Sequence, residues 1–166
     1  MSELSTGRAA QYASQFESAQ DHFIALVASL TPEQWHRVGK NHPQRMNEED
    51  EGRTVGVIAH HVADAETFIM ARITSMLEGK PLEPVDFKST NAAHAIRHAN
   101  VTRDEVIQKL KENKSRIARA VAAIPEEQLD LMRDTPVGPM SIAQRLERVL
   151  IGHLTTHQGS IEAALG

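Results

Sequence analysis

His153 and His157 stand four residues apart in VLIGHLTTHQGSIEAAL, residues 149–165, a stretch that otherwise has the make-up of a buried helix. An α-helix turns ~100° per residue, so an i, i+4 pair leaves one face about a turn apart. That spacing lets two imidazoles reach one metal ion, as on zinc-binding helices. Ile142, Leu146, Val149, Leu150, Ser160 and Ala164 fall in the same sector, which directs both rings inward. Each ring nitrogen needs a partner. A single buried histidine ordinarily finds one by hydrogen bonding, whereas two stacked rings make a shared cation the better account.

The stretch TVGVIAHHVADAETF, residues 54–68, supplies a third donor. Its two histidines are adjacent and must face different directions. Val57, Ile58, Ala65, Phe68, Arg72 and Met76 cluster around the direction of His61, so His61 is expected to point inward. His60 shares its face with Asp64, Thr67 and Thr74 and is expected to point to solvent. Three inward imidazoles without a common partner would be costly to bury, and one divalent cation satisfies all of them. The expected metal ligands are therefore His61, His153 and His157. Three neutral histidines leave coordination positions open, the pattern of a catalytic rather than a structural ion.

Other residues carry weaker signals. Asp64 follows His61 by three positions and is a candidate to orient a ligand from behind, against the commoner alternative of a solvated carboxylate. Arg72 lies on a buried stripe and needs an anion, either a structural salt bridge or a carboxylate-bearing substrate. His94 and His98 are also four apart, in a long connection where a loop or short lid helix is expected. His22 flanks the inner face of the first helix and has a packing role or an approach to the site.

Four helical stripes must position these residues. The first covers about residues 9–30, with Ala9, Tyr12, Phe16, Ala19, Phe23, Leu26 and Leu30 aligned, and Thr31 with Gln34 then caps a short turn carrying Trp35. The second runs from Thr54 to Leu77. The third opens on a Thr102–Glu105 capping box and directs Val106, Leu110, Ile117, Val121 and Ile124 inward. The fourth opens on Ser141–Gln144 and runs to Leu165. Connections of about residues 36–53, 78–101 and 125–140 are long enough to suggest function. TPEQW after the first helix has a faint echo in IPEEQL after the third. The expected architecture is an all-α four-helix bundle, residues 1–166 forming one domain.

Composition narrows the chemistry. The chain holds nine histidines against one Trp and one Tyr, and no cysteine, which removes disulfides, thiolate metal sites and a protein thiol nucleophile. The formal net charge of −4 argues against nucleic acid or an anionic membrane as partner. The basic residues of the third helix fit Glu105–Lys109 and Glu112–Arg116 pairs along a solvated face. No signal peptide or membrane-spanning run is read, so a cytoplasmic location is expected. Gly152, Thr156, Gly159 and Ala163 form a small-residue flank that permits close approach of another backbone, within the bundle or across a dimer.

With these residues in hand, the chain resembles the DinB/YfiT-like metalloenzyme family. Thr54 to His61 is similar to the opening of that family's second helix, and HLTTHQGSI to its H-x-x-x-H-x-G-x-I segment on the last helix. The chain departs from the family by carrying Thr156 and Gln158–Gly159 where a second adjacent His and an Arg–Gly pair are frequent. The resemblance spans about residues 9–165. It implies up-down-down-up topology, a homodimer, and zinc or nickel held by His61, His153 and His157. Members with assigned activities use low-molecular-weight thiols, so the resemblance implies a thiol cosubstrate and S-transfer to a small electrophilic substrate. Hydrolysis through metal-bound hydroxide is the alternative, and a non-catalytic metal or small-molecule binding protein is the third reading. Substrate contacts are expected near Arg72, His94 and His98.

Overall fold

The computed structural model describes residues 7–40 and 52–166. Helix α1 spans Arg8–Ser29, and α2 is the single turn Pro32–Trp35. Helix α3 covers Val55–Leu77, α4 Phe87–Arg97 and α5 Arg103–Ala122. A 3₁₀ turn at Glu126–Gln128 and a small hairpin of β1 (Met132–Arg133) and β2 (Met140–Ser141) follow. The last helix is continuous but changes type: α6 at Ile142–Gln144, a π segment at Arg145–Ile151, and α7 at Gly152–Leu165. Most of the first long connection, residues 41–51, lies outside the described residues.

Helix starts are written in side-chain oxygens. Thr31, Thr102 and Ser141 each form a complete capping box with Gln34, Glu105 and Gln144. Thr54 caps α3 by accepting from the Val57 amide at 3.3 Å, and Asp86 caps α4 through the Ser89 amide at 3.1 Å. The start of α3 is clamped by Trp35, whose indole donates to the Val101 carbonyl at 3.0 Å. A Cβ at Gly56 would lie 2.5 Å from that indole, so only glycine lets α3 begin here.

Contacts between helices give the topology. Arg8 meets Glu126, Lys114 meets Asp21 and Arg103 reaches the Leu30 carbonyl, so α1 and α5 run antiparallel. Asp64–Lys109, Glu66–Asn113 and Thr67–Arg116 make α3 and α5 parallel. His61 meets His153, while Arg72 faces Arg145, so α3 and the last helix are antiparallel. The result is an up-down-down-up four-helix bundle, as the family resemblance implies. Phe16, Phe23, Ile58, Ile73, Met76, Leu110, Ile117, Leu146 and Leu150 fill its centre.

Several sequence expectations shift. Val27 and Gln20 join the inner face of α1, while Tyr12, Ala19 and Leu26 are partly buried and His22 is exposed, away from any site. The bases of α5 reach across to neighbouring helices: Lys109 pairs with Asp64, and Arg116 donates to Thr67 and Asn113. In the last helix Ile142, Leu146, Leu150 and Leu154 are buried at four-residue intervals. That interval, wider than the 3.6 of an α-helix, accompanies the π segment, and such segments occur frequently at functional sites.

Candidate metal centre

One face of α3 meets one face of α7 at three imidazoles. His61, His153 and His157 each offer a ring nitrogen, and those atoms lie within 4.8 Å of one another. The Nε2 atoms of His61 and His153 are 3.1 Å apart. Ring centroids are separated by 5.0 Å for His61–His153 and His61–His157, and by 4.4 Å for His153–His157. His157 is buried, while His61 and His153 keep part of their surface open. Burial holds the His61 ring far below its usual range, to about 2, reinforced by His153, Arg53 and two further histidines. A neutral imidazole with its lone pair available is the form in which histidine binds a metal. Three imidazole donors gathered within 4.8 Å of one another suit a divalent ion.

The adjacent residues do not lie as the sequence suggests. His60 is 7% exposed rather than solvent-facing. The face it shares with Asp64 is correctly assigned, but α4 folds over that face and covers it. His60 Nδ1 lies 2.8 Å from His94 Nε2, and its ring stacks on His98 at 3.9 Å between centroids. Asp64 is not turned to the three-histidine set. It binds Lys109 through Oδ1, while Oδ2 stands 3.2 Å from His94 Nε2 and 3.5 Å from His60 Nδ1. Burial pushes the Asp64 carboxyl up, but the Lys109 ammonium and His60 outweigh it and keep the group below its ordinary value. Burial likewise drives His60 down to about 4 and lowers His94. The connection holding His94 and His98 does form a short helix, with His94 in its last turn and His98 at its C-terminal cap.

Arg72 lies eleven residues beyond His61, nearly the same direction around the helix but about 16 Å along it. It donates to the Glu83 carbonyl at 3.1 Å and lies 5.4 Å from the centre of the Phe68 ring. It makes no ion pair among the described residues. Opposite it stands Arg145, buried in the π segment, its Nε without a hydrogen-bond partner among the described residues. Desolvation and the neighbouring Arg72 lower the Arg145 guanidinium below its usual value. Arg53, just before α3, adds positive potential at His61 and His94. Neither Arg53 nor Arg145 is singled out by the sequence reading. Arg145 carried a usable signal, an arginine on a stripe otherwise made of Ile142, Leu146 and Val149, whereas Arg53 carried none.

Comparison with known proteins fits this geometry. A family model described as the DinB superfamily matches residues 15–161. Among solved structures, one is described as YfiT from Bacillus subtilis, a probable metal-dependent hydrolase with an unusual four-helix bundle topology. It superposes with a TM-score of 0.74 at 18% sequence identity, covering 99% of this chain and 89% of that one. No curated protein matches the sequence. No helix among the described residues is long and apolar enough to cross a membrane.

Proposed function

Because the chain belongs to the DinB superfamily, we propose that it is a metal-dependent enzyme joining a low-molecular-weight thiol, through its sulfur, to a small electrophile. The observation that carries this is the convergence of His61, His153 and His157 from two helices within 4.8 Å. A bound divalent ion, zinc or nickel, would supply Lewis acidity that favours the anionic form of a coordinated thiol or water at neutral pH. The protein's own part is to present three imidazoles from two helices, with burial keeping the His61 ring neutral. Among the described residues no carboxylate belongs to the three-histidine set, since Asp64 is committed to Lys109, His60 and His94. A thiol needs a general base less than water does, because it is intrinsically the stronger acid. The absence of protein cysteine fits a borrowed thiol.

Arg72 and Arg145, about three turns from His61, suit the distal carboxylate of an extended substrate or thiol. Hydrolysis is the second reading, favoured by the shared fold with a protein described as a probable metal-dependent hydrolase. The test is a rate measurement on metal-loaded protein with an electrophile panel, with and without added thiol. Metal-dependent thiol consumption supports transfer. Equal turnover without thiol assigns hydrolysis instead. Metal uptake with no turnover in either arm leaves only a binding role.

We further propose a homodimer through the α7 flank, where Gly152, Thr156, Gly159 and Ala163 are all partly exposed. Light scattering at micromolar concentration checks this, and a mass matching one chain of 18.3 kDa would contradict it.

A further inference from the structure

Beside the three-histidine set lies a second group of metal-competent donors that the function above does not use. His60 and Asp64 are an i, i+4 pair on α3, and His94 and His98 are an i, i+4 pair at the end of α4. Each of the four residues offers one donor atom, and these atoms lie within 4.8 Å of one another. His60 Nδ1 and His94 Nε2 are 2.8 Å apart, and Asp64 Oδ2 stands 3.5, 3.2 and 3.9 Å from the facing nitrogens of His60, His94 and His98.

Hydrogen bonds alone satisfy this arrangement poorly. An ionised carboxylate only accepts, and a neutral imidazole has one donor and one acceptor nitrogen. If His60 Nδ1 donates to His94 Nε2, the lone pair of the latter is engaged and neither nitrogen has a proton left for Asp64 Oδ2. If the proton sits on His94, then His60 presents the lone pair. A single cation among the four atoms satisfies every lone pair at once. Lys109 holds the other carboxylate oxygen, which fixes Asp64 with Oδ2 toward the rings.

The way α4 is attached supplies an independent observation. It is eleven residues long, too short to be stable in isolation. His94 is its one buried residue, while Phe87 is 54% and Ile96 80% exposed. Apolar burial therefore does little to fasten this helix: beside one edge-on contact of the half-exposed Phe87 with Phe68, 6.3 Å between ring centroids, what meets α3 is the histidine–aspartate group. The same docking brings His94 edge-on to His61, at 5.7 Å between ring centroids.

We propose that His60, Asp64, His94 and His98 form a second divalent-metal site, a closed four-donor set that fastens α4 over the three-histidine centre. Four protein ligands without an open position are the mark of a structural ion, in contrast to the open three-histidine set. The proposal stands whether or not the three-histidine centre is catalytic.

The test uses full-length protein stripped by chelator and titrated with zinc. Bound metal per chain is counted, and amide hydrogen exchange is followed at residues 87–97. Wild type should take up two ions per chain and gain protection in α4 with one of them. His98→Ala removes a partly exposed ligand without touching the core. It should weaken one binding step beyond the 10–100-fold typical of outer-shell changes and leave α4 exchanging fast. Asp64→Asn should do the same by a different route. His153→Ala should keep α4 protection while losing the other ion. A single ion in wild type that His98→Ala leaves in place, an unchanged titration in both His98→Ala and Asp64→Asn, or loss of both ions together in His98→Ala would overturn the second site.

Discussion

Helix α3 turns a partly buried histidine and, five residues on, a fully buried glutamate toward the bundle, and the two are settled in opposite ways. Glu66 accepts from Gln20 Nε2 and Asn113 Nδ2, both at 2.9 Å, and Asn113 also donates to the Ala63 carbonyl at 2.8 Å. Its partners come from α1 and α5, and they tie three helices together. His61 faces His153 and His157, which are donors of its own kind, and no carboxylate joins that set among the described residues. A buried polar group whose partners are complementary protein atoms is structure, because donor meets acceptor within the protein; here Glu66 does so through Oε2, while its Oε1 and Gln20 Oε1 have no partner among the described residues. One whose neighbours share its chemistry is completed by something from outside. The difference separates scaffold from site on a single helix.

The largest effect should come from breaking the site side of this contrast. His153→Ala is expected to abolish metal-dependent turnover, a fall of at least about a thousandfold, while circular dichroism stays that of the wild type. Chelation should do the same to the unmutated protein. Breaking the scaffold side should instead cost stability. Glu66→Ala takes one acceptor from each of the buried Gln20 and Asn113 amides, which keep only the Leu110 and Ala63 carbonyls, and unfolding by urea should show a loss of about 2 kcal/mol. Turnover per folded molecule should change little.

A pH series sharpens the comparison because the two groups pull in opposite directions. Burial raises the Glu66 carboxyl to about 8, with Asn113 and Gln20 pulling partly the other way. Its contribution is therefore fully present below pH ~4.5 and is lost as pH rises through about 8. Glu66→Gln should be more stabilising at pH 8 than at pH 5. The lowered His61 and His60 act with the reverse sign. In metal-free protein their contribution is present above pH ~6.5 and is lost as pH falls through about 4 and toward 2. Chemical denaturation of metal-free wild type and Glu66→Gln from pH 5 to 8 measures both slopes.

The smallest expected change belongs to Arg145. Its buried charge has no counter-ion among the described residues, so Arg145→Met should stabilise the protein by about 1 kcal/mol. If Arg145 binds the far end of an anionic substrate, the same variant should raise KM about tenfold with kcat nearly unchanged. A change confined to stability would return it to a packing role.

The parts of this account legible in the sequence are those set by local chemistry. Thr54, Thr102 and Ser141 announce helix starts because a cap is a contact within four residues. The inward stripe of α5, from Val106 to Val121, follows from periodicity alone. The convergence of His61 with His153 and His157 could be anticipated because each ring sits on an apolar face. His60 could not be read the same way. What buries it is α4, whose own docking face is histidine rather than leucine and so leaves no hydrophobic period to detect. The π segment at Arg145–Ile151 was equally hidden, since the four-residue spacing of Ile142, Leu146, Leu150 and Leu154 reads just as well as an ordinary i, i+4 stripe of an α-helix. Up-down-down-up topology was visible through family resemblance and not through spacing, because which helices lie diagonally depends on long-range contacts such as Arg8–Glu126 and Asp64–Lys109.

The most direct test of the central claim is metal content, counted per chain in His61→Ala, His153→Ala and His157→Ala beside Glu66→Gln as the scaffold control. Each histidine variant should lose one ion relative to wild type, and Glu66→Gln should lose none. Full wild-type content in any of the three histidine variants would remove that residue from the centre and contradict the account.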